Sequence, residues 1–162
     1  MKRVILLTVV LLLSVVLAAA AEPGYEALVD DINLFCSIYH APEFDVSTAS
    51  ISSSDDYKWS ALIKANNAAI DLMLFSKDGD KISSLICACP DESNIIDYLA
   101  CCCAVVSEYR ESLGVIEPFG YILYDYMLSR DDQEATPLVS NGTYCSLKKN
   151  NGGYILTIVF QY

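Results

Sequence analysis

Between Glu43 and Cys89 the chain divides into four short runs of strand-forming residues: Phe44 to Ile51, Tyr57 to Lys64, Ala69 to Phe75 and Lys81 to Cys89. Turn residues separate them. Ser52 to Asp56 and Asn66-Asn67 supply the first two turns, and Lys77-Asp78-Gly79-Asp80 supplies the third, a tight loop in which Gly79 can take a positive φ. The pattern is that of a meander of four antiparallel strands, and the rest of the fold must be arranged around it.

Helical periodicity flanks the meander. Tyr25, Leu28, Ile32, Phe35 and Tyr39 recur at intervals of three and four, which marks an amphipathic helix ended by Pro42. Pro90, Asp91 and Ser93 offer a second helix start, running from about Glu92 to Leu113 and stopping at Gly114. With Ile95 at the centre of its apolar stripe, Leu99, Cys102, Val106, Tyr109 and Leu113 line up behind it. Cys103 then falls at the edge, and Cys101 points away, toward Asp97 and Glu108. A third helix follows from Pro118, suited to a first turn, to about Ser129.

After a polar loop at 131–137, the chain reads as a hairpin: a strand from Val139 to Lys148, the turn Asn150-Asn151-Gly152-Gly153, and a strand from Tyr154 to Phe160. Alternation puts Tyr154, Leu156, Ile158 and Phe160 on one side and Ile155, Thr157 and Val159 on the other. Both sides are mainly apolar, so this strand belongs in a central or covered position. Six strands and three helices, segregated along the chain, define an α+β fold in which about three helices pack on an antiparallel sheet.

At the N-terminus, Met1, Lys2 and Arg3 precede an apolar run from Val4 to Leu17 and small residues from Ala18 to Ala21. A basic head, an apolar middle and an Ala-x-Ala end describe a signal peptide over residues 1–21. Residues 22–162 are then a single secreted domain, extracellular or periplasmic. The competing reading is an uncleaved membrane anchor through residues 4–21, close to the length of about 20 that a spanning helix needs. Removing Lys2 and Arg3 takes the formal charge from −11 to −13. A field of that sign repels phosphate backbones and anionic lipids, which argues against nucleic acid as a partner.

The 7 cysteines are odd in number, so a monomer keeps at least one thiol. Cys101, Cys102 and Cys103 are consecutive in a helical run, where neighbours point about 100° apart, so they cannot converge on one partner. Cys36, Cys87 and Cys102 read as small buried hydrophobes. Cys89, Cys101 and Cys145 are the candidates for disulfides because they fall at element ends or off the stripe. Cys87-x-Cys89 is too closely spaced for the usual zinc pattern, and no metal or other cofactor is expected.

His40 is the sole histidine, so any histidine-dependent nucleophile must use it. Cys36, one helical turn away, is the cheapest partner, which defines the alternative reading as a small extracellular hydrolase or thiol-dependent enzyme. The plainer account of His40 is a helix-terminal residue. The adjacent carboxylates Asp55-Asp56 and Asp131-Asp132 fall in loops, and Asp78-Gly79-Asp80 lacks the twelve-residue calcium pattern. The third helix is apolar on two sides: Phe119, Ile122, Leu123 and Tyr126 on one, Tyr121, Tyr124 and Leu128 on the other. Such a helix is either sandwiched inside the protein, the plainer account, or presents an aromatic surface, in which case Tyr121, Tyr124 and Leu128 are the candidate binding residues of an acidic interaction module for an extracellular protein or ligand. Asn141-Gly142-Thr143 is a glycosylation sequon that reads equally as a turn.

Overall fold

The structure, a computed structural model, describes residues 24–108, 138–140, 142–150 and 152–160. The segment read as a signal peptide, the helix expected from Pro118 to Ser129 and the residues Tyr121, Tyr124 and Leu128 lie outside the described residues. The described part is α+β. Helix α1 (Glu26–Ile38) leads into β1 (Phe44–Ser52), β2 (Trp59–Ala65), β3 (Asp71–Ser76) and β4 (Ser84–Cys89). A short 3-10 turn (Glu92–Asn94) opens α2 (Ile95–Glu108), and β5 (Leu138–Ser140), β6 (Thr143–Asn150) and β7 (Gly153–Phe160) follow.

All seven strands form one antiparallel sheet in the order β1-β2-β3-β4-β7-β6-β5. The first four strands are the expected meander. The chain then crosses to the far edge and returns strand by strand, so that β7 closes against β4. The place of β7 between β4 and β6 agrees with its two apolar sides. One expected element is divided: the strand read from Val139 to Lys148 is two strands, β5 and β6, with Gly142 at φ 76° between them. Gly142 therefore sits in a turn, because glycine reaches the left-handed region without the steric cost that other residues carry.

The loops follow their chemistry. Gly79 takes φ 98°, and its carbonyl accepts a hydrogen bond from Trp59 Nε1 at 2.9 Å, tying the β3–β4 turn to the start of β2. Asp78 Oδ1 accepts from the backbone N–H groups of Asp80 and Lys81, each at 2.9 Å. These bonds stabilise its charged form and hold its carboxyl below the usual aspartate range. The carboxylate of Asp91 plays the same part at the N-cap before α2, accepting from Ser93 N at 2.9 Å. At the end of α1, Asn33 donates to the Phe44 carbonyl at 2.9 Å and accepts from Phe44 N–H at 2.8 Å, which clamps the helix to the first residue of the sheet.

Both helices lie on one side of the sheet. Val29, Ile32 and Cys36 from α1, and Tyr98, Cys101, Cys102, Val105 and Val106 from α2, meet a floor drawn from alternate strand positions. Pairing aligns that floor in rows, Ala61–Leu74–Leu85–Ile158–Cys145 and Ile63–Leu72–Cys87–Leu156–Leu147, and every side chain in them is buried. Two expectations for α2 are corrected here. Its buried stripe runs through Tyr98, Cys101, Cys102 and Val105, while Ile95 and Leu99 are only half-buried. Cys101 is fully buried rather than turned outward. The reason is that α2 packs against two surfaces, the sheet and α1, so its apolar arc is wider and rotated relative to a helix that meets a sheet alone.

Candidate functional site: the second sheet face and a thiol-lined helix interface

The alternation that buries one side of each strand presents the other. Across the centre of the second face, pairing aligns Leu62, Met73, Ile86, Thr157 and Ser146. A parallel row contains Ser60, Phe75, Ser84, Val159 and Tyr144. All ten of these side chains are only half-buried. Among the described residues, no helix packs over them. Toward one end of the face Lys64 Nζ pairs with Asp71 Oδ1 at 3.2 Å, next in register to Ala88 and Ile155. Tyr57 leans on Phe75 at the other end, ring centroids 4.8 Å apart. The result is a broad surface with an apolar middle, hydroxyl groups among it and charge at one end, a composition suited to contact with another molecule.

The signal for these residues in the sequence is the apolar character of both sides of the strands. Asp71–Ser76 and Ser84–Cys89 place Met73, Phe75 and Ile86 opposite Leu72, Leu74, Leu85 and Cys87. Strands apolar on both sides need cover on both sides, and the same test that placed β7 centrally applies equally to β3 and β4.

The cysteines are all free thiols, six of them buried and Cys103 half-buried. Cys36, Cys87 and Cys102 are core residues, as their positions imply. The disulfide candidates Cys89, Cys101 and Cys145 are core residues as well: Cys89 donates to the Asp91 carbonyl at 3.0 Å, and Cys145 lies opposite Ile158 in the sheet. Burial pushes the Cys145 thiol up to about 12 and that of Cys103 to about 11. Both therefore remain protonated at neutral pH.

Neighbouring cysteines on α2 serve different elements, as the helical offset between them requires. Cys102 interacts with Cys87 on the sheet, whereas Cys101 interacts with Cys36 on α1 and donates to the Pro42 carbonyl at 3.5 Å. Contact with Cys101 lowers the pKa of Cys36 against the opposing effects of burial and of Glu43.

The structure does not bring Cys36 and His40 into a common site. Cys36 is turned into the helix interface, with Cys101 and Glu43 as its electrostatic neighbours, while His40 is exposed. His40 has φ 54°, and the following Ala41 N–H donates to the Cys36 carbonyl at 2.8 Å. That bond spans the end of α1 in the manner of a Schellman stop, with His40 at the left-handed position glycine usually takes. Replacing His40 with Gly is accordingly expected to raise stability by up to about 1 kcal/mol, since relief of left-handed strain outweighs the added freedom of the unfolded chain. Urea unfolding measures it, and a loss of stability would show that the imidazole makes a contact that matters.

Comparisons of the chain with protein-family models, with curated protein sequences and with solved structures find no match in any of the three.

Proposed function

We propose that the chain is a small, acidic, secreted interaction module without a catalytic centre of its own, and that it holds an extracellular protein partner on the sheet face over which no described helix packs. The observation that supports this reading is the row Leu62–Met73–Ile86, with Phe75 and Val159 beside it, incompletely buried on a sheet whose other side already has α1 and α2. An α+β domain ordinarily encloses its apolar surface between two layers, so a second apolar face calls for a third layer. The partner that fits presents an apolar contact surface of its own. Net charge of −11 favours a partner of positive charge, through faster encounter and rejection of acidic proteins. The N-terminal pattern of Lys2, Arg3 and the apolar run supports placement outside the cytoplasm. Tyr121, Tyr124 and Leu128, which lie outside the described residues, are proposed as further binding residues on their chemistry alone, the two tyrosines combining an apolar body with a polar tip.

The test is Ile86→Lys, which sets a charge in the middle of the face while leaving the helix-covered core untouched. Ile96→Lys on α2 is the control, at a side chain 80% exposed and remote from that face. Proteins retained from the extracellular medium by the wild-type chain should be lost with Ile86→Lys and kept with Ile96→Lys, both variants melting as the wild type does. Equal retention by the two variants would contradict the assignment of the face.

A further inference from the structure

Cys36 and Cys101 are the one pair of thiols that joins the two helices. Both side chains are fully buried between the packed helices: the Cys36 carbonyl is capped by Ala41 N–H at 2.8 Å, and the Cys101 thiol donates to the carbonyl of the next residue, Pro42, at 3.5 Å, which sets Cys101 beside the end of α1 that carries Cys36. Cys102, one residue on, addresses the sheet and is not positioned to compete for the same partner. We propose that Cys36 and Cys101 are an oxidation site, forming a disulfide that fastens α1 to α2 during folding in an oxidising compartment, while the remaining five cysteines stay reduced.

The oxidant is a small or protein-borne disulfide. Thiolate attack by Cys36 on one sulfur of glutathione disulfide releases one glutathione thiolate and leaves a mixed disulfide on Cys36. Attack by Cys101 on the Cys36 sulfur then forms the internal bond and expels the second glutathione. The two thiol protons and two electrons leave the protein, and glutathione disulfide becomes two molecules of glutathione. Because both sulfurs are enclosed in the finished fold, exchange belongs to the folding chain. The bond closes a long loop between helices separated by the whole meander, so it removes freedom mainly from the unfolded state.

The odd count of seven is then satisfied by one bridge and five buried or half-buried thiols, four of which, Cys87, Cys89, Cys103 and Cys145, have their acidity suppressed by their surroundings.

The experiment refolds the full chain in a mixture of oxidised and reduced glutathione, quenches with acid, alkylates free thiols under denaturing conditions and maps disulfide-linked peptides by mass spectrometry. The expected product lacks the mass of two hydrogens and links the peptide carrying Cys36 to the one carrying Cys101. Fragmentation of that linked peptide assigns the sulfur to Cys101 rather than to Cys102 or Cys103. In parallel, Cys101→Ala should abolish the link and Cys102→Ala preserve it, and the oxidised wild-type chain should melt above its reduced form. Full alkylation of Cys36 after refolding, or a link from Cys36 to any other cysteine, would overturn the proposal. If Cys101→Ala does not fold, the wild-type fragmentation result decides alone.

Discussion

Leu85→Ala should destabilise the protein by about 2–5 kcal/mol, while Ile86→Ala, at the adjacent residue of the same strand, should cost about 1 kcal/mol or less. The two side chains are of equal size and leave the backbone in opposite directions. Leu85 is fully buried, paired in register with Leu74 and Ile158 beneath the helices. Its truncation removes apolar contacts and leaves a cavity that a close-packed core closes only in part. Ile86 lies between Met73 and Thr157 on the second face, incompletely buried, where truncation opens no void enclosed by the described residues. Urea denaturation of both variants gives the difference directly. Comparable losses would mean that both faces of β4 are enclosed.

The second large effect is expected at Tyr98, the largest fully buried side chain. Tyr98→Ala should cost about 3–5 kcal/mol through the cavity it leaves. Tyr98→Phe keeps the ring, which lies 6.0 Å from that of Tyr154, and removes only the hydroxyl that donates to the Cys87 carbonyl at 3.0 Å. That loss should cost about 1 kcal/mol or slightly more, a typical net value for one hydrogen bond. A pH signature accompanies it. Burial pushes the Tyr98 phenol well above its ordinary value of 10.0, so the folded state keeps a proton that the unfolded chain releases. Its contribution is fully present below the unfolded pKa and is lost as pH rises above it, producing an alkaline fall in stability. Tyr98→Phe should flatten that fall, and an alkaline limb unchanged by the substitution would place its origin elsewhere.

Legibility in the sequence followed the locality of the physics. The meander was readable because each strand carries its own alternation and each turn its own chemistry: Asn67 and Gly79, at φ 58° and φ 98°, sit in the turns assigned to them. Helix α1 was readable for the same reason from Tyr25, Leu28, Ile32, Phe35 and Tyr39, although its buried side runs through Val29, Ile32 and Cys36 and leaves Tyr39 exposed. The division of β5 from β6 was harder, because Asn141-Gly142-Thr143 suits a turn or a strand entry and only the pairing of Ser140 with Thr143 decides. The rotation of α2 was not encoded locally at all. Whether Cys101 or Ile95 lies at the centre of its buried arc depends on α1 lying alongside, a contact between residues far apart in the chain.

The site was less legible than the fold. The pairing of Cys101 with Cys36 and of Cys102 with Cys87 follows once α2 is seated, and the helical offset that forbids three neighbouring cysteines one shared target also gives neighbours separate ones. His40 shows the reverse. Its type suggested chemistry, yet its backbone conformation makes it a helix stop. The uncovered face was written in Met73, Phe75 and Ile86, apolar residues at the outward positions of strands whose inward positions were already apolar.

Among the described residues this face has no covering element, and Met73 reports on it from the middle of the row. Mild peroxide treatment of the folded chain, followed by peptide mass spectrometry, measures the rate at which its thioether becomes a sulfoxide. An open face predicts oxidation of Met73 while the protein remains folded, at a rate that denaturant raises little and that a bound partner suppresses. Protection of Met73 in the free chain, lifted only on unfolding, would show the face to be covered and would contradict the account.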